Sequence, residues 1–123
     1  MNLVQEYLEV ANEIVLFNEY GNKKAIKEYN LKVTRMYKIA TEIETDHPTL
    51  KNDFCKLLSC ENPSIRLWVA HHVLEVLNCD KSYRKAALQV IRYAARTDKT
   101  ANGFGEKMWL KDWYKSHTKD RWI

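Results

Sequence analysis

Two histidines stand side by side in CENPSIRLWVAHHVLEVL, residues 60–77, within an almost unbroken apolar run, with Arg66 ahead of them and Cys55 and Cys60 just upstream. Imidazoles and thiols ligate transition metals and carry nucleophilic or proton-transfer chemistry, so a reactive centre has to be sought here first. The spacing argues against one. Neighbouring helical residues point about 100° apart, so His71 and His72 do not share an ion as an i, i+4 pair does, and no metal site is expected. His72 falls on the Ile65, Val69 and Val76 side and is expected as a hydrogen-bonded core residue, while His71 lies beside Glu75 on a narrow polar side. Cys55 and Cys60 do not form a Cys-x-x-Cys motif, and no adjacent basic cluster would activate a thiol. Burial explains them.

Other reactive patterns are absent. The chain has no glycine-rich phosphate loop, no His-Glu-x-x-His pair and no Gly-x-Ser-x-Gly elbow, and GFGEK at Gly103 lacks phosphate-loop spacing and the following Ser or Thr. Neither an enzyme nor a cofactor is expected. The stretch KMWLKDWYKSHTKDRWI, residues 107–123, interleaves aromatic and basic residues, a composition suited to stacking on bases and pairing with phosphates. Yet Trp109 with Trp113, and Leu110 with Tyr114, are i, i+4 pairs that would pack a terminal helix, and they are read so. Trp122 and Ile123 are not readily placed in a core. Glu6, Glu9 and Glu13 give one helix a face of a single sign, the candidate surface for a basic partner.

The elements that must carry these residues are all helical. Leu3, Tyr7, Val10, Ala11, Ile14 and Phe17 recur at helical spacing opposite the three glutamates, and Gly21-Asn22 should stop that helix. A second helix runs from about Asn22 to Asp46, with Ile26, Tyr29, Val33, Met36, Tyr37, Ala40 and Ile43 buried. His47-Pro48 ends it. Leu50 to Leu58 make a short third helix. Asn62 caps and Pro63 opens a fourth, apolar almost all round and therefore central. Asp80 caps a fifth, whose Tyr83, Ala86, Ala87, Val90, Ile91 and Ala94 face inward, and a loop from Thr97 to Gly103 precedes the last helix.

A chain of 123 residues, 46% hydrophobic and 29% charged, with three glycines and two prolines, is read as a single domain spanning residues 1–123. The expected fold is all-α, about six helices in a right-handed stack of antiparallel hairpins. Acidic residues near the start argue against an export signal, and no charge-free apolar stretch reaches the roughly 20 residues that cross a bilayer, so no export signal and a soluble, cytoplasmic protein without membrane contact are expected. Three cysteines, an odd number, are expected as free thiols. The net charge of +4 is unevenly spread, with four glutamates and no basic residue in 1–20 and six basic against three acidic residues in 99–123.

NPSIRLWVAHHVLEVL, with Arg66 four residues before the small Ala70 and Leu74 four beyond, resembles the second half of a HEAT-type repeat. Together with Asn30 in EYNLKVTRMYKI and the closing Gly103, Phe104, Glu106, Met108, Leu110 and Trp113, it is similar to a small bacterial HEAT-like family of unknown function, whose likeness covers most of the chain. Small helical proteins of this kind occur among immunity proteins of contact-dependent growth inhibition and other polymorphic toxin systems. The resemblance implies a protein, monomeric when free, that binds and neutralises a cognate toxin domain, a ribonuclease-like one being the candidate, by covering its active site. The basic net charge departs from the acidity common in nuclease inhibitors. The alternatives are a nucleic-acid-binding helical protein and a scaffold.

Overall fold

Side-chain caps set where the helices begin in the computed structural model, which describes residues 2–123. Asn2 and Gln5 exchange side-chain-to-backbone bonds of 2.9 Å, a reciprocal box that opens α1 (Leu3–Val15). Asn22 accepts from Ala25 N–H and opens α2 (Lys23–Asp46). A 3-10 turn (Pro48–Leu50), α3 (Lys51–Lys56) and a second 3-10 turn (Leu57–Ser59) follow. Asn62 accepts from Ser64 and Ile65 N–H, with Pro63 at the first helical position, where its missing donor costs nothing, to start α4 (Pro63–Glu75). Asp80 starts α5 (Lys81–Thr97) and Thr100 starts α6 (Ala101–Ser116), after which a 3-10 turn covers Thr118–Trp122. The described residues hold no strand, and the fold is all-α.

Helix α4 is the centre. Ile65, Val69, Ala70, His72, Val73 and Leu74 are buried around its circumference, which requires cover on several sides. That cover comes from α1 through Tyr7, Ala11 and Ile14, and from α5 through Ala87, Leu88 and Ile91. Phe54 meets the Tyr7 ring edge-on at 4.7 Å, a geometry that adds about 1 kcal/mol to the burial itself. Each helix packs mainly on its chain neighbours, α1 on α2, α4 on α5 and α5 on α6, with α1 on α4 joining the halves. Arg66 donates to the carbonyls of Cys60 (2.6 Å) and Glu61 (2.9 Å), which ties the start of α4 to the turn before it.

Four sequence-based expectations are corrected. Helix α1 ends at Val15, well before Gly21, and no described residue adopts positive φ. Phe17 turns instead onto Tyr29, with ring centroids 4.7 Å apart, and Asn22 serves as the α2 cap rather than a stop for α1. Tyr37 is 55% exposed, because the buried stripe of α2 passes through Met36, Ile39, Ala40 and Ile43. Helix α6 begins at Ala101, not after Gly103. The absence of a side chain at Gly103 is what lets α6 close on the end of α5: a Cβ there would lie 1.8 Å from the Asp98 carbonyl oxygen. Finally, Ile123 does pack against the core, because Arg92 donates to its carbonyl at 2.5 Å and to that of Asp120 at 2.9 Å.

Candidate functional site

Alongside α4 runs an open groove of about 1060 Å³, bounded by the end of α1 and the start of α2 on one side and by α5 and α6 on the other. Leu67, Trp68 and His71 of α4 line it, with Ile14, Phe17, Tyr20 and Tyr29 on one flank and Val90, Tyr93, Gly105 and Glu106 on the opposite one. Its aromatic residues come from separate elements. Phe17 stacks edge-on to Tyr20 at 5.0 Å, and Tyr20 is 74% and Tyr93 57% exposed. The Arg96 guanidinium lies 5.7 Å from the Tyr93 ring centroid, within cation–π range.

The charged groups facing this groove are engaged within the protein: Arg66 on backbone carbonyls, Asp98 on Thr100, and His71 with Glu106. His71 donates through Nε2 to Glu106 at 2.7 Å, and its Nδ1 lies 3.5 Å from Glu75. Burial works to lower its pKa, but the hydrogen bonds and charges of Glu106 and Glu75 outweigh that and push it up to about 9. His71 is therefore an imidazolium at neutral pH, with neither ring nitrogen free to act as base or ligand. In return, its hydrogen bond holds the Glu75 carboxyl below the usual range. The ring edge meets Trp109 at 4.5 Å, so His71 ties α4 to α6 by both charge and packing. His72 has the opposite character. It is 6% exposed, its Nδ1 lies 2.6 Å from the Tyr7 hydroxyl, and burial lowers its pKa to about 4, which keeps it neutral. The two rings point to different helices, as their spacing requires, and His72 is the hydrogen-bonded core residue expected.

The remaining candidates are rearranged more than the histidines. The acidic face is not free: Arg35 grips Glu6 through two hydrogen bonds of 2.7 and 2.9 Å, and Lys32 reaches Glu13 at 3.3 Å. The Arg35 hydrogen bond also lowers the pKa of Glu6. Glu9 is exposed and makes no ion pair among the described residues. Cys55 does not pair with Cys60. Its sulfur lies 3.5 Å from that of Cys79, whereas Cys60 points to the Asn62 carbonyl. No local spacing announced that contact, which spans 24 residues and depends on how α3 meets the α4–α5 connection. Along α6, Trp109 stacks on Trp113 at 4.9 Å and Trp113 on His117 at 3.7 Å, while Trp113 Nε1 and Arg84 both donate to Asp120. These aromatics pack the end of the molecule. Trp122 stays 84% exposed.

Among the described residues, no three His, Cys, Asp or Glu side chains converge as a metal-ligand set, and no helix is long and apolar enough to cross a membrane. Fold and groove together define an all-α helical protein with a broad aromatic recess. No protein-family model, curated protein or solved structure matches the chain.

Proposed function

We propose that this chain is a non-enzymatic protein-binding module whose aromatic groove receives an apolar segment of a protein partner. The more specific form of the proposal, suggested by the resemblance to HEAT-like immunity proteins, is that the partner is a toxin domain neutralised by covering its active site. One observation carries the reading: exposed aromatics on separate elements, Tyr20 and Tyr93 among them, flank an open recess whose charged groups already have hydrogen-bond partners within the protein. Rigid aromatic anchors beside a partly apolar surface are what tight protein interfaces are built around, and a few of them carry most of the binding energy. A groove this open suits a protein segment better than an enclosed small-molecule site.

The test is to titrate candidate toxin domains from the genes flanking this one into the protein and follow complex formation by calorimetry. Tyr20→Ala with Tyr93→Ala should weaken binding at least tenfold while leaving the helical circular dichroism unchanged. Persistent toxicity in the presence of the protein, with no complex, refutes the toxin assignment. Full affinity of the double variant refutes the groove.

A second reading, nucleic-acid binding, draws on the chain from 81 to 123, which holds eleven basic and four acidic residues, and on exposed Trp122. It requires affinity for an arbitrary duplex that falls steeply as salt rises, and the absence of a mobility shift at low salt removes it.

A further inference from the structure

We infer that Cys55 and Cys79 are a peroxide-oxidised cysteine pair, with Cys79 the thiol oxidised first and Cys55 the one that resolves it into a disulfide. The two sulfurs already lie 3.5 Å apart, so closing to bond length needs only a small adjustment of side chains and connection. The partners differ in the ways the two roles demand. Cys55 is on α3 and only 2% exposed, shut away from any oxidant in solution. Cys79 is partly exposed and lies in the short connection between α4 and α5, outside regular helix, where the backbone has room to follow the new bond.

The surroundings favour negative charge on Cys79. Lys51 Nζ is positioned by the Asn78 carbonyl at 3.0 Å and by Glu44 at 2.8 Å, one residue from Cys79. The hydrogen bond from Cys55 and the Lys51 charge lower the Cys79 pKa against its burial and the nearby Glu44 and Asp80 carboxylates, while the same sulfur contact and burial raise that of Cys55. Cys60 has no thiol neighbour of this kind: its sulfur packs against the core and its hydrogen bond goes to the Asn62 carbonyl.

The chemistry balances with hydrogen peroxide, or another hydroperoxide, as oxidant. The Cys79 thiolate attacks one peroxide oxygen and the O–O bond breaks. The departing hydroxide takes up the proton that the thiol gave away and leaves as water, and Cys79 becomes a sulfenic acid, oxidised by two electrons. The Cys55 sulfur then attacks Cys79 Sγ, the S–O bond breaks, and a second water leaves with the Cys55 proton. Two thiols and one peroxide become one disulfide and two waters. The bond would staple α3 to the start of α5 and enclose α4, the helix along the groove.

The experiment exposes the reduced full-length protein to hydrogen peroxide and maps its peptides without reduction. The expected result is a loss of two hydrogens, a Cys55–Cys79 linked peptide in the wild type and in Cys60→Ser, and a higher denaturant midpoint for the oxidised form. In Cys55→Ser, dimedone should label Cys79. In Cys79→Ser it should not label Cys55. Three thiols that survive peroxide intact, a link through Cys60, or dimedone on Cys55 each overturn the inference. Wild-type and Cys60→Ser mapping decide it even if a variant at Cys55 or Cys79 fails to fold.

Discussion

At the scale of single residues, His71 and His72 give neighbouring positions opposite linkage to pH. His71 is raised from 6.5 to about 9 in the folded protein, so it binds its proton more tightly there than in the unfolded chain. Its contribution is complete below pH 6.5 and is lost as pH rises through 9. His72 is lowered from 6.5 to about 4, so its contribution is present above 6.5 and is lost as pH falls towards 4. Each is worth on the order of 3 kcal/mol. Stability should therefore peak near pH 6.5, and His71→Gln should lower the peak and flatten the alkaline limb between pH 6.5 and 9, read from denaturant midpoints. An alkaline limb of unchanged slope in the variant would show that the Glu106 contact does not hold in solution. The sequence placed His72 in the core through the apolar residues around it. It offered His71 only Glu75, because Glu106 comes from a helix 35 positions away.

At the scale of elements, helix starts were the most legible feature, because a cap is a local contract between one side chain and the next few N–H groups. Asn62, Pro63 and Asp80 were each identified in place. The end of α1 and the start of α6 were less so. The end of α1 depends on Phe17 finding Tyr29 on the next helix, and the early start of α6 depends on Asp98 and Gly103 meeting in space. That approach yields a sharp expectation. Gly103→Ala improves helix propensity by about 1 kcal/mol but pushes a methyl into the Asp98 carbonyl, and backbone cannot give way as a side chain can. The net should be a loss of about 2 kcal/mol or more, measured by chemical denaturation. Gly105→Ala is the control: nothing lies within 4 Å of its added Cβ, so stability should hold or rise. Equal effects at both positions would contradict the close approach.

At the scale of the whole molecule, charge is segregated along the chain: nine basic and twelve acidic residues up to 80, against eleven and four beyond. Sequence alone suggested that Glu6, Glu9 and Glu13 act together, because the partners that neutralise two of them, Arg35 and Lys32, belong to another helix. Reversing all three would break the α1–α2 contact and confuse stability with binding. Glu9→Lys is the cleaner reversal. If the acidic side steers a basic partner, this change should slow association several-fold at low salt and leave the dissociation rate nearly untouched. An unchanged association rate removes Glu9 from the encounter. The packing of α6 has an optical consequence as well. Trp109 and Trp113 lie face to face at 4.9 Å, close enough for their excited states to mix, and a protonated ring at His71 sits against Trp109 as a built-in quencher. Native emission should brighten, and the near-ultraviolet couplet of the indole pair should persist, as alkali strips that proton, so the end of the molecule signals its own docking without any attached dye.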